Sequence, residues 1–302
     1  MRTLKQIIAV TLLNLRNLPQ RFASSAVAVV GVGAVVLVFA AVLSMAAGLE
    51  RTMLSAGSDD TAVIMRSGAT SELNSGLSNE QTLIIGNAPG VLRDGDNAIM
   101  SAELYVITDV KKISNQTDAN VPFRGVQAGA FEVRDNIRIS DGRMFEPGKN
   151  EIVVGRAAQQ EFMGLDVGDT IRFGQTEWAI VGTFDAGGSV SESELWTDVR
   201  VLQGAYRRGN SFQSVRVKLE SPESIETLRQ ALDEDPRIDP DVMSEREYYS
   251  SQSQGLVQFI KLIGYPLTIL MAIGAVFGAL NSMYSSVSVR GKEIATLRAL
   301  GF

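Results

Sequence analysis

No charged residue lies between Arg21 and Glu50, and none lies between Lys261 and Arg290. Each gap is 28 residues long. At ~1.5 Å per helical residue each reaches ~42 Å, more than the ~30 Å hydrocarbon core of a bilayer. The chain therefore reads as an integral membrane α-helical protein with two spans, 22–49 and 262–289. Three further segments remain: 1–21, a large middle segment 50–261, and 290–302.

The competing reading of the first span is a cleaved signal peptide, because Ser44-Met45-Ala46 has the small-x-small form of a cleavage site. A signal h-region is ~7–15 residues behind a short charged region. Here 21 residues precede an apolar run about twice that length, so a retained span is expected. Before it, Leu4, Ile7, Ile8, Thr11, Leu12, Leu15 and Leu18 recur at helical spacing, with Arg2, Lys5 and Arg16 off the stripe. That pattern predicts an amphipathic helix on the cytoplasmic membrane surface, ended by Pro19.

Charge sets the orientation. Four basic and no acidic residues precede the first span, and Arg290, Lys292 and Arg298 follow the second. The positive-inside rule then puts both ends in the cytoplasm and 50–261 outside. The middle segment carries 33 of the 34 acidic residues and a net charge of -12, while the rest of the chain is +6. Within the second span Gly274, Gly278 and Ser282 recur every four residues, a stripe on which another helix can pack closely. Pro266 is expected to kink the outer part of this span or to mark where another helix joins it.

The middle segment mixes strand and helix patterns and predicts an α+β domain. Strand signals fall at 61–66, 99–110, 121–127, 151–154, 170–173, 178–184 and 214–219. Helical ones fall at 156–163, 199–206, 224–233 and from Glu245 into the second span. The Ser-, Gly- and Asn-rich stretch 67–78 reads as a mobile loop. Asp141-Gly142, Pro147-Gly148 and Gly168-Asp169 have turn chemistry.

No cysteine and no histidine are present, which excludes disulfides and thiolate chemistry and removes the commonest metal ligand and general base. The acidic pairs Asp59-Asp60, Glu192/Glu194 and Asp233/Asp235 read as solvated surface. The glycine groups do not form a G-x-x-x-x-G-K-[ST] phosphate cradle. No catalytic residue, metal site or cofactor is assigned to this chain.

After the second span, Ile294, Leu297 and Leu300 fall on one helical face, flanked by Glu293 and Arg298. The run from Arg290 through Glu293-Ile294-Ala295-Thr296-Leu297-Arg298-Ala299-Leu300-Gly301 resembles the signature of MacB/FtsX-type ABC transporter permeases, the mechanotransmission class. The stretch Gly142–Ile171 is similar to the periplasmic core domain of that family. The resemblance implies a permease without an ATPase site of its own, paired with a second permease subunit in the lipid bilayer. ATP would be bound by a cytosolic ABC ATPase, and Glu293, Ile294, Leu297, Arg298 and Leu300 would form the coupling helix that contacts it. A periplasmic adaptor is a further implied partner, and nucleic acid is not one. Family members have two more spans after the coupling helix, so the chain is expected to be a fragment. An FtsX-like regulator of an envelope enzyme fits the same residues, and a transmembrane sensor shares the span–domain–span layout.

Overall fold

The computed structural model describes residues 22–289 and 291–299. The amphipathic helix expected over 1–21, together with Arg290 and Leu300, lies outside the described residues. In chain order the elements begin with α1 (Phe22–Ala56), β1 (Thr61–Arg66), a 3-10 turn at Glu72–Asn74 and α2 (Asn79–Asn87). The short pair β2 (Arg93–Asp94) and β3 (Asn97–Ala98) precedes β4 (Met100–Lys111), β5 (Asp118–Val126), α3 (Ala130–Val133) and β6 (Arg138–Gly142). Next come β7 (Glu151–Gly155), α4 (Arg156–Glu161), β8 (Thr170–Phe173), β9 (Thr176–Asp185), β10 (Leu195–Asp198) and α5 (Val199–Ala205). The chain continues through β11 (Ser214–Lys218), α6 (Ser224–Asp233), β12 (Pro240–Ser244), α7 (Glu245–Val289) and α8 (Gly291–Ala299).

Two units result, one of Met1–Leu49 with Gly255–Phe302 and the other of Glu50–Gln254. In the first, α1 and α7 each contain a stretch long and apolar enough to cross a membrane, and only 6% of either is buried. Val29, Leu37, Leu262 and Phe277 are among the uncovered side chains. A core helix of a water-soluble protein would bury such residues, so these are helices of a membrane protein. They meet where Phe39 and Tyr265 rings lie 6.4 Å apart and where a Cβ on Gly264 would fall 2.5 Å from Val42 Cγ1. α7 runs on through Pro266, and Thr268 Oγ1 donates to the Gly264 carbonyl at 2.7 Å.

The second unit is built on one mixed sheet in the order β12-β1-β11-β4-β5-β10-β7-β9-β6, with β8 paired to β9. β10 is parallel to β5 and β7 is parallel to β9. β4 serves two partners along its length. Met100–Glu103 pair with β11, and Leu104–Lys111 pair with β5. Strand alternation then divides its side chains. Ala102, Leu104 and Val106 enter the main aliphatic core, while Ser101, Glu103 and Tyr105 point to the opposite face. In that main core the Phe123 ring packs on Trp178 at 5.0 Å and on Phe173 at 5.5 Å. A smaller core gathers Phe145, Phe184 and Trp196. A third packs Val63 and Met65 of β1 on Tyr248 and Tyr249 of α7.

The strand and helix positions read from sequence agree with these elements to within a few residues. Five strands, β2, β3, β6, β10 and β12, and the helices α2 and α3 are additions. The turn chemistry is realised: Gly142, Gly148 and Gly168 all have positive φ, at +69°, +79° and +99°.

Candidate functional site

Of the stretch expected from the resemblance to form a coupling helix, Gly291–Ala299 is helical, as α8. Its Arg298 lies in the last turn, where a cation complements the helix dipole. The stripe residues Gly274, Gly278 and Ser282 lie on α7. Among the described residues a Cβ on Gly274 or Gly278 would meet nothing within 4 Å, whereas one on Gly264 would meet Val42.

A cleft of about 450 Å³ opens beside the smaller core. Its walls are Val126, Phe131, Met144, Phe145, Pro147 and Val199, brought together from β5, α3, the loop after β6 and the start of α5. The Phe131 ring lies 5.6 Å from Trp196 and 6.4 Å from Phe145. At the rim the Asp198 carboxylate caps α5, accepting the Arg200 N–H at 2.6 Å, and it also accepts the Gly148 N–H at 3.1 Å. The cleft is thus mainly apolar, with a polar rim, and of the size that holds a small apolar group.

On the face of β4 away from the main core lies a buried ionic cluster. Glu72, Glu103, Glu194 and Glu245 face Arg124, Arg134 and Arg216, and all are buried. Arg124 Nε and Nη2 donate to the two Glu194 oxygens at 2.7 and 2.9 Å. Arg124 Nη1 donates to Glu72 Oε1 at 2.8 Å and to Glu103 Oε2 at 2.9 Å. Arg134 places Nη1 and Nη2 on Glu103 at 2.7 and 2.8 Å. Arg216 Nη1 donates to Glu103 at 2.7 Å and to Glu72 at 2.9 Å. Aromatic faces line the group: Arg124 lies 4.7 Å from the Tyr105 ring centroid and Arg134 lies 4.8 Å from that of Trp196.

Electrostatics keep Glu103 and Glu72 charged. Burial alone would push the Glu103 carboxyl up, but the charges of Arg134, Arg216 and Arg124 outweigh it and hold it at about 2. Glu72 is likewise held well below the usual carboxylate range, burial being overcome by Arg124 and Arg216. Glu72, Glu103 and Glu194 are each engaged by a buried arginine, so the group joins chain segments far apart in sequence. Among the described residues no acidic group has the arrangement of a metal site.

Two expectations are corrected here. The stretch 67–78 is irregular, but it is anchored, because Glu72 is drawn into the cluster and Ser75 Oγ accepts the Arg66 N–H at 3.0 Å. Glu192 and Glu194 are buried, not solvated: Glu194 pairs with Arg124, and Glu192 Oε1 accepts the N–H groups of Ala186 and Gly188 at 2.8 and 2.7 Å.

The model of the MacB-like periplasmic core domain matches residues 25–235. The chain belongs to that family. The MacB-like match takes in the apolar cleft and all of the ionic cluster except Glu245. The chain is similar to the extracellular domain of the noncanonic ABC-type transporter YknZ from Gram-positive bacteria. That likeness has 18% identity and a TM-score of 0.45, over 61% of this chain and 100% of that one. It is also similar to the periplasmic region of MacB from Actinobacillus actinomycetemcomitans, at 12% identity and TM-score 0.48, over 67% of this chain and 96% of that one. No curated protein sequence matches it. Within the MacB-like domain, the stretch Gly142–Ile171 that carried the resemblance runs from the end of β6 into β8.

Proposed function

We propose that the chain is a permease subunit of an ABC transporter that works with a separate cytosolic ATPase. ATP hydrolysis by that partner is coupled to conformational change outside the cytoplasm, in export or envelope trafficking. The observation that carries this reading is a MacB-like match that begins in the first of two charge-free apolar segments and ends before the second, with the helix Gly291–Ala299 beyond it. On this reading both termini are cytoplasmic, 50–261 is periplasmic, and a second permease subunit completes the assembly. Gly274, Gly278 and Ser282 offer a close-packing line to a neighbouring helix.

α8 is the coupling helix, in which Glu293 and Arg298 flank the apolar positions Ile294, Leu297 and Leu300. An amphipathic helix of this kind docks its apolar face in a groove and uses flanking charges for register. We assign contact with an apolar part of the cargo to the 450 Å³ cleft.

The test is co-purification of the chain with its cognate ATPase. Glu293→Lys combined with Arg298→Glu should weaken it at least tenfold, while Trp178 and Trp196 fluorescence stays that of the folded domain. Undiminished co-purification would remove α8 from the ATPase contact.

A further inference from the structure

The ionic cluster is tight except where it meets the first turn of α7. Arg124 uses Nε, Nη1 and Nη2 in hydrogen bonds of 2.7 to 3.0 Å, and Arg134 places both terminal nitrogens on Glu103. Arg216 is different. Its Nη1 is shared between Glu72 and Glu103, yet among the described residues its buried Nε and Nη2 meet no hydrogen-bond acceptor. The carboxylate that faces this edge belongs to Glu245, whose Oε1 stands 3.5 Å from Nε, an ion pair without a hydrogen bond. The other oxygen of Glu245 accepts the Ser58 N–H at a long 3.3 Å. The Nε/Nη2 edge of a guanidinium is shaped to take one carboxylate through two parallel hydrogen bonds.

Glu245 has both room and company. A polar cavity of about 250 Å³ is bordered by Gly57, Ser58, Arg134, Glu245 and Arg246. A Cβ on Gly57 would lie 2.6 Å from Arg246 N, so these two backbones touch. The Arg246 N–H donates to the Ser58 carbonyl at 3.3 Å, and its Nε donates to Asp59 at 2.8 Å. The segment that follows α1 and the first turn of α7 are therefore joined.

We infer that Glu245 and Arg216 form a two-position latch. In the position observed, Glu245 leans to Ser58. In the other, its carboxylate closes onto Arg216 Nε and Nη2 and draws Gly57–Asp59 and the first turn of α7 toward β11. The contacts all lie within Glu50–Gln254, so the inference stands apart from the permease reading.

Hydrogen–deuterium exchange of the whole chain in detergent tests it, comparing the parent with Glu245→Gln and Glu245→Asp. The glutamine keeps the shape and removes the charge; the aspartate keeps the charge and shortens the reach. Both should speed exchange of the amides of 57–60 and 246–249 about tenfold together, with 104–110 in β4 unchanged. Parent-like exchange in both segments with either variant overturns the latch. So does a uniform rise across the domain, which would mark a general loss of stability.

Discussion

Arg124 meets Glu72 through two parallel hydrogen bonds, Nη1–Oε1 at 2.8 Å and Nη2–Oε2 at 3.0 Å, across 52 residues of chain. Both side chains are only 3% exposed, so neither charge has water to fall back on. The pair fixes the irregular stretch after β1 to the middle of β5. Removing one partner of such a buried pair costs far more than the pair itself contributes, because the other charge is left uncompensated.

Glu103 shows this most clearly, since it serves Arg134, Arg124 and Arg216 at once. Glu103→Gln should destabilise the domain by about 3–5 kcal/mol. Breaking the exposed Arg237–Asp235 pair through Arg237→Gln should leave the unfolding midpoint essentially unmoved. Denaturant titration followed by tryptophan fluorescence reads both. Trp178 and Trp196 are the chain's two tryptophans and both are buried in the domain.

Acid should unfold the domain in a defined window. Burial raises the Glu103 carboxyl and the arginines lower it more, leaving it at about 2; Glu72 is shifted the same way. In the unfolded chain a glutamate titrates near ~4.3, so below that pH the unfolded state takes up protons first. The stabilisation is whole above about pH 5 and is lost progressively down to about pH 2. The tryptophan signal should report this loss, and a domain equally stable at pH 3 and pH 7 would contradict it.

Two glycines with positive φ should respond differently to alanine. At Gly148 a Cβ meets open space, so Gly148→Ala should cost only the left-handed penalty of about 1–2 kcal/mol. At Gly142 a Cβ would sit 2.3 Å from the Val181 carbonyl oxygen, inside the β6–β9 pairing. Gly142→Ala should therefore be clearly the more damaging of the two in the same titration.

Topology can be read from single cysteines, because the native chain has none. Lys149→Cys, at an exposed side chain of the domain, should react with a membrane-impermeant maleimide on spheroplasts. Labelling only after lysis would reverse the proposed orientation.

The cleft makes a separate prediction. Phe131→Arg places a charge in its apolar wall and should abolish binding of a neutral fluorescent apolar probe to the intact chain. Binding that is equal in parent and variant would dissociate the cleft from cargo.

The apolar spans and most strands were legible in the sequence because each is a continuous hydrophobic run or alternation. β12, with Pro240 at its start, and the short β10 are strands chiefly because β1 and β5 pair with them, a tertiary effect that no local pattern carries. α2 did have a local signal: Ser78 and Gln81 form a capping box at its start. The ionic cluster left a fainter trace. Glu103 sits between Ala102 and Leu104, Arg124 between Phe123 and Gly125, and Arg216 between Val215 and Val217. A charge at an inward register of three strands implies buried partners. What the sequence withheld was their identity, since Glu72 lies in a polar stretch and Glu194 in an acidic one.

The division of β4 between two partners has a mechanical corollary. Every strand-to-strand route through the sheet from β1 to β9 passes through this one strand, with Glu103 and Leu104 at the changeover. Pulling the halves of the sheet apart would require tearing β4 from a neighbour, whereas rotating one half against the other only increases the twist of a strand already twisted. Separation of the halves is thus opposed by the pairing that β4 makes along its whole length, from Met100 to Lys111.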